Sequence, residues 1–387
     1  MATPFEEAVG MSSEDFYSDY WGKKPLFVKG AVPAAAGLIT PEDLAGLSCE
    51  NAASRLVKRD NTLGWDVQYG PFEESTFAAL GEENWTLLVQ EVERWDRSVN
   101  TLLETFRAFP NWRLDDVMVS YAVPGGTVGA HVDQYDVFLV QGAGSRRWEI
   151  GLYPLRDPDF VEGLDLRILS DFSPGRVIEA EPGDLLYLPP MFAHHGVAIT
   201  ECLTLSVGFR KPLVSDMVAS YLSEMLTRID PERQLSHSIT KAVSDPGLLD
   251  FNTLESIRSV FRSICYDEES IDEWYGRFIT SPSRTDGLQV GETWEVKEVR
   301  DYLEAGGVLA RSAQSLCSYQ ERPGGSVRLF VAGDTDLLPS GIAPIARLIC
   351  GAEPIGAETL GEFTSNEHVV LLLTDLVNRG FLLPDHA

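Results

Sequence analysis

The sequence predicts an α+β chain that opens with an antiparallel β-barrel or jelly roll and continues into mainly helical units. Two observations carry that expectation. Between about 117 and 212 the runs "VMVSYAV", "YDVFLVQ", "RRWEIGLY", "RVIEAEPGDLLYLPP" and "CLTLSVGF" are β-branched or aromatic, cut by glycine and proline. No helical pattern alternates with them, which argues against a parallel sheet. After "GFRKP" the period changes: Val214, Met217, Val218, Tyr221, Leu222, Met225 and Leu226 recur at the spacing of an amphipathic helix.

Taken in order, residues 1–50 contain helix signals, and "YWGKKPLFVKGAV" reads as a helix end followed by a strand. The strand-rich stretch follows. Beyond it, Leu254, Ile257, Val260, Phe261 and Ile264 repeat the helical spacing, and Ile271, Trp274 and Phe278 suggest a third helix. "TSPSRTDG" reads as a linker. The final stretch mixes helices ("EVKEVRDYLEAGG", "NEHVVLLLTDLVNRG") with short strands ("SVRLFVAG", "FLLP"), a winged-helix-like pattern. At 387 residues the chain exceeds one ordinary core. The expected division is 1–212 for the barrel, 213–285 for the helical module and 290–387 for the winged-helix-like unit.

Composition narrows the function classes. The chain is 44% hydrophobic and 10% aromatic, a globular balance. The start, "MATPFEEAVGMSSEDFY", is acidic and has no apolar core of a signal peptide. No run approaches the ~18 apolar residues of a membrane span. Five scattered cysteines give no disulfide framework and fit a reducing cytoplasm. A net charge of −28 repels phosphate backbones and anionic membranes. It fits salt adaptation, or a basic protein partner drawn by charge. The winged-helix-like unit carries 14 acidic against 7 basic residues from position 291 onward. That is the reverse of a nucleic-acid reader, so a protein-interaction or structural role is expected of it.

The chemistry centres on "HVDQYDVF". On a strand, His131 and Asp133 would share a face, their Cα atoms roughly 6–7 Å apart, and could reach one ion. The later "EPGDLLYLPPMFAHHGV" leads from a turn through a strand and a proline pair to His194 and His195. Two imidazoles and a carboxylate on one side of a metal form the triad of non-heme Fe(II) oxygenases, with positions left open. Spacing alone does not choose between His194 and His195. The remaining histidines, His237, His368 and His386, fall in the helical parts and read as surface residues.

In "SRRWEI", Arg146, Trp148 and Ile150 share one strand face and Arg147 and Glu149 the other. Arg146 on the inward face is a forked cation suited to a carboxylate. In "CLTLSVGF", Thr204 and Ser206 alternate with Leu203, Leu205 and Val207, and two hydroxyls on the pocket side suit a bound acid. Asp115, Asp116 and Ser120 precede the site and suit a cationic substrate side chain.

"HVDQYDVF", "EPGDLLYLPPMFAHHG" and "LSVGFRKP" resemble the JmjC oxygenases of the cupin superfamily, and more closely the bacterial ribosomal oxygenases. "YWGKKPLFVKG", "NWTLLVQEV" and "NWRLDDVMVSYAVPGG" extend the resemblance over nearly the whole chain. It implies a double-stranded β-helix, then a helical dimerisation module, then a winged-helix-like domain. It implies Fe(II) held by His131, Asp133 and His194, because the family's metal histidine lies five residues after the first of the two prolines. It further implies 2-oxoglutarate anchored by Arg146, dioxygen as oxidant, a cytoplasmic homodimer, and a basic ribosomal protein as substrate. Hydroxylation at C3 of an arginine in the sixteenth large-subunit protein is the expected reaction. A histidyl hydroxylase of another ribosomal protein and a non-catalytic cupin scaffold are the alternatives.

Overall fold

The computed structural model describes residues 2–60, 64–234, 245, 247–281, 293–312, 316–351 and 353–384. The chain divides into two compact units, one formed by Met1–Lys211 and the other by nearly everything from Pro212 onward.

Eleven strands are described in the first unit: β1 (Leu26–Val28), β2 (Ser54–Asp60), β3 (Gly64–Tyr69), β4 (Trp85–Val89), β5 (Leu114–Ala122), β6 (Val137–Ala143), β7 (Arg146–Pro154), β8 (Arg176–Ala180), β9 (Leu185–Leu188), β10 (Phe192–Ala198) and β11 (Cys202–Phe209). They build an eight-stranded sheet, β1-β9-β6-β11-β5-β4-β2-β3, and a three-stranded sheet, β10-β7-β8. Every pairing is antiparallel. Short helices α1 (Pro4–Val9), α2 (Ser13–Asp19), α3 (Pro41–Cys49), α4 (Glu74–Ala78) and α5 (Arg97–Thr101) complete the unit.

The period-2 alternation of the strands divides two cores. Leu203, Leu205, Val207 and Phe209 of β11 pack with Phe5, Phe16, Phe106 and Phe138 in a large aromatic cluster. Phe5 meets Phe16 edge-on at 5.0 Å, and Phe109 meets Phe209 at 4.8 Å. Such contacts add about 0.5–1.5 kcal/mol per pair beyond area burial. A second cluster joins the sheets: Val137, Leu139, Leu186 and Leu188 from the large one, Trp148, Ile150 and Ala180 from the small one. Thr204 and Ser206 lie on the other side of β11 from the aromatic cluster, toward the barrel interior.

Three features depart from the sequence reading. Strands β2, β3 and β4 extend the large sheet, although "SRLVKRD" carries four charged residues in seven. Its pairing comes from β4 and β3, which local propensity does not reveal. The turn read at Pro182–Asp184 divides "RVIEAEPGDLLYLPP", but its two strands fall in two different sheets, which the run does not reveal. The β7–β8 connection folds back on the barrel: the Leu169 N–H donates to the Ala130 carbonyl at 2.8 Å, and Leu166 and Ile168 pack with Val57 and Leu88.

The second unit begins with α6 (Val214–Arg228), α7 (Phe251–Cys265) and α8 (Glu268–Thr280). Then come α9 (Val296–Glu304), β12 (Val308–Arg311), β13 (Cys317–Glu321), β14 (Val327–Val331), β15 (Asp334–Leu338), α10 (Pro344–Cys350), β16 (Ile355–Gly356), α11 (Ala357–Leu360), α12 (Glu367–Asn378) and β17 (Leu382–Pro384). Two three-stranded sheets, β13-β14-β15 and β16-β12-β17, accompany the helices. Val299, Leu303, Leu329, Ile345, Leu373 and Leu376 share one core. Thr280, read as the start of a linker, is the buried last residue of α8, while 282–287 lie outside the described residues. His368 is exposed on α12, and His237 and His386 lie outside the described residues.

Candidate metal centre

His131 and Asp133 do not lie on a regular strand as the spacing suggested. Both precede β6, and His131 is held by an isolated two-residue bridge to His194 on β10. The His131 N–H donates to the His194 carbonyl at 3.0 Å, and the His194 N–H returns a bond at 2.9 Å. Directly paired residues point their side chains the same way, so the two ring centroids lie 4.2 Å apart. Asp133 is fixed by its own carbonyl, which accepts from the Met191 N–H at 2.7 Å. Met191 adopts a left-handed φ of 67° after the proline pair, uncommon for a non-glycine residue. One carboxylate oxygen of Asp133 sits 3.5 Å from His194 Nε2.

One ligand atom from each of His131, Asp133 and His194 falls within 4.8 Å of the others. Tautomer control completes the set. His131 Nδ1 bonds the Gly129 carbonyl and His194 Nδ1 the Phe192 carbonyl, each at 3.0 Å. Each Nδ1 therefore carries the proton and each Nε2 keeps its lone pair for a metal. Burial, then the neighbouring His131 ring, pushes His194 down to about 4, so its imidazole is neutral at physiological pH. Two imidazoles and a carboxylate suit ferrous iron.

Gly129 explains part of the local sequence. Its φ is +83°, and a Cβ there would lie 2.9 Å from Ile168 Cδ1.

His195 faces the other way. Its Nδ1 lies 3.0 Å from Glu149, which also pairs with Arg147 at 3.2 Å. The register that pairs His195 with Glu149 and His194 with Ile150 sends the two histidines to opposite faces of β10.

A cavity of about 360 Å³ contains the three candidate ligands. Its walls include Ser120, Tyr135, Arg146, Trp148, Asp165 and Ser206. Arg146 is only 4% exposed, stacks over Trp148 at 5.3 Å, and donates through NH1 to Ser120 Oγ and Thr204 Oγ1, both at 3.1 Å. Its Nε has no hydrogen-bond partner, and no carboxylate pairs with it among the described residues. Burial pushes its pKa down, the mark of a cation short of an anion. Trp148 is seated by Gly196, where a Cβ would come within 2.6 Å of the indole.

The other candidates separate. Ser206 lines the cavity; the Thr204 hydroxyl is engaged with Arg146 and Gln141 and is not part of the wall. Asp115 pairs with Arg210 at 2.8 Å, and Asp116 accepts from the Glu91 N–H at 3.4 Å. Of these three acidic-segment residues, only Ser120 reaches the cavity.

Glu93 is a buried acid that sequence reasoning missed; nothing in "EVERWD" marks it. Its carboxyl accepts the Val117 N–H of β5 at 2.8 Å. Burial, then neighbouring Asp116, raises its pKa from 4.5 to about 8. Asp116 is itself raised to about 7, by burial and then by Asp115. Between about pH 4.5 and 8 the folded state therefore holds a proton at Glu93 that the unfolded state releases. Stability contributed here is present below that window and lost as pH rises through it. Glu93→Gln should melt progressively higher relative to wild type from pH 5 to pH 8, measured by calorimetry.

The chain's likeness to known proteins agrees with this geometry. A JmjC-domain family model matches residues 101–217, and a ROXA-like winged-helix model matches 262–383. The ribosomal protein uL16 3-hydroxylase of Escherichia coli is 32% identical over 374 residues, covering 95% of this chain and 96% of that protein. A probable ribosomal oxygenase of Haemophilus influenzae is 33% identical over 335 residues, 84% of this chain and 82% of that one. The X-ray structure of E. coli ycfD superposes with a TM-score of 0.87 at 31% identity, over 97% of this chain and 99% of that one. A structure of YcfD, described as a ribosomal oxygenase in complex with cobalt and 2-oxoglutarate, matches with a TM-score of 0.83 over the same shares at 31% identity. On sequence, fold and site together, the chain belongs to the JmjC-domain ribosomal oxygenases.

Proposed function

We propose that the protein is an Fe(II)- and 2-oxoglutarate-dependent dioxygenase that hydroxylates C3 of an arginine in the large-subunit ribosomal protein uL16. One observation carries the reading: a two-histidine, one-carboxylate cluster and a buried, anion-starved arginine line the same cavity. The named target of the E. coli relative supports the substrate.

His131, Asp133 and His194 would hold the iron through two Nε2 atoms and a carboxylate oxygen. The iron, with 2-oxoglutarate and dioxygen, supplies the oxidising chemistry that yields succinate, carbon dioxide and one oxygen atom for the substrate C–H. The chain positions the reactants. The Gly129 and Phe192 carbonyls hold the protons on Nδ1, and Arg146 takes the far carboxylate of the co-substrate. Ser120 and Ser206 offer hydroxyls along the wall, and Trp148 and Leu139 are apolar parts of it. A net charge of −28 favours encounter with a basic ribosomal protein and disfavours direct contact with nucleic acid. The five cysteines are thiols and not disulfides, which fits a reducing cytoplasm. Among the described residues, no helix is long and apolar enough to cross a membrane.

The test is mass spectrometry of uL16 incubated with the protein, ferrous iron and 2-oxoglutarate. The reading expects a gain of one oxygen on an arginine, dependent on 2-oxoglutarate. Oxygen on a histidine of another ribosomal protein favours the histidyl hydroxylase instead. Absence of any gain, without succinate release, leaves a binding scaffold.

The second unit is read as a helical dimerisation module, 213–285, followed by a winged-helix-like domain, 290–387. On α6, Met225 is buried and Tyr221 packs on Trp274 at 5.2 Å, while Val214, Val218, Leu222 and Leu226 form an exposed i, i+4 stripe. Four apolar residues in line are a seam for a second copy of the chain. Val218→Asp should convert a homodimer to a monomer by light scattering at micromolar concentration, leaving the fold intact.

A further inference from the structure

Gln141 of β6 is buried to 1% exposure, and nothing in the metal chemistry above uses it. It sits in a row that crosses the barrel interior. The β-ladder pairs Ser120 with Thr204 and Thr204 with Gln141, and Arg146 lies against this row.

The hydrogen-bond accounting along the row has one solution. Gln141 Nε2 faces two backbone carbonyls, Ala143 at 2.8 Å and Gly144 at 3.3 Å. Carbonyls only accept, so that end of the amide must be the NH2 group. The opposite end is then the amide oxygen, and it lies 3.1 Å from Thr204 Oγ1. The single hydroxyl proton of Thr204 is therefore donated to Gln141. Arg146 has only donors, and its NH1 lies 3.1 Å from the same oxygen. Thr204 thus presents its lone pairs to the guanidinium and no proton to the cavity.

We propose that Gln141 is a positioning residue for the co-substrate: by fixing the Thr204 proton it keeps the Thr204 oxygen an obligate acceptor that orients Arg146 for a carboxylate. The proposal rests on the reading that Arg146 receives the far carboxylate of 2-oxoglutarate. Thr204 acts behind the arginine and does not donate to the co-substrate. Without the amide oxygen the hydroxyl is free to turn its proton toward NH1, and the guanidinium loses its fixed direction.

The experiment titrates 2-oxoglutarate calorimetrically into anaerobic Mn(II)-loaded protein, with KM and kcat measured on the iron-loaded enzyme. Thr204→Val should weaken 2-oxoglutarate binding roughly 10- to 100-fold, the range for losing a hydrogen bond to a charged group, and Gln141→Met, which acts through Thr204, should weaken it by a smaller but measurable factor. KM should follow, with kcat at saturating 2-oxoglutarate changing little. The double variant should bind no worse than the weaker single one, because the two side chains act in series. Thr204→Ser, which keeps the hydroxyl, should retain affinity. Additive losses in the double variant, or an unchanged affinity in Gln141→Met, overturn the proposal. Where Gln141→Met does not fold, undiminished affinity in Thr204→Val overturns it equally. Arg146→Ala separates the two levels. Weakened binding there, beside an intact Gln141→Met, defeats only the role of Gln141, whereas unchanged binding removes the reading on which it rests.

Discussion

His131→Ala should abolish 2-oxoglutarate turnover, lowering succinate release by more than about 100-fold. Removing a group that merely supports a metal ligand costs about 10- to 100-fold, and His131 is read as a ligand itself. Its backbone bridge to His194 survives the substitution, since both bonds are main-chain. The loss therefore reports the imidazole and not the fold, and metal affinity should fall in parallel. His195→Ala is the matching control. His195 engages Glu149 on the far face of β10, so its removal should change turnover by no more than a few-fold. A reversal, with His195→Ala inactive and His131→Ala active, would sink the ligand assignment.

Arg146→Ala carries the second large effect. The guanidinium is buried, has no carboxylate partner among the described residues, and leaves Nε unsatisfied. A charge-assisted, forked contact to a carboxylate contributes more than a neutral hydrogen bond. Its loss should raise KM for 2-oxoglutarate by about 100-fold, with a smaller change in kcat. Calorimetry should show the same weakening in the metal-loaded protein without turnover. The substitution also removes the donor that the Ser120 and Thr204 hydroxyl oxygens accept from, so a lower melting temperature is expected. Added 2-oxoglutarate should stabilise wild type and fail to stabilise the variant.

Parts of this site were legible because side-chain alternation on a strand is a local rule. "SRRWEI" placed Arg146, Trp148 and Ile150 on one face, and "CLTLSVGF" put Thr204 and Ser206 opposite the leucines. The helices beyond 213 were legible from periodicity for the same reason. What escaped depends on contacts distant along the chain. His131 owes its position to a bridge with a residue 63 positions later, not to a strand of its own. The choice between His194 and His195 follows from the register of β10 on β7, which their shared sequence neighbourhood does not encode. Gln141 and Glu93 gain their character from burial beside partners on other elements. Strands β2 to β4 pair because the large sheet offers them an edge, despite a charged local sequence.

The most direct measurement is anomalous diffraction from crystals of the protein grown with Co(II) and 2-oxoglutarate, locating the ion and the co-substrate together. A single peak coordinated by His131 Nε2, Asp133 and His194 Nε2, with the far carboxylate on Arg146, is the expected result. An ion on His195 and Glu149, or a cavity that takes 2-oxoglutarate away from Arg146, would contradict it.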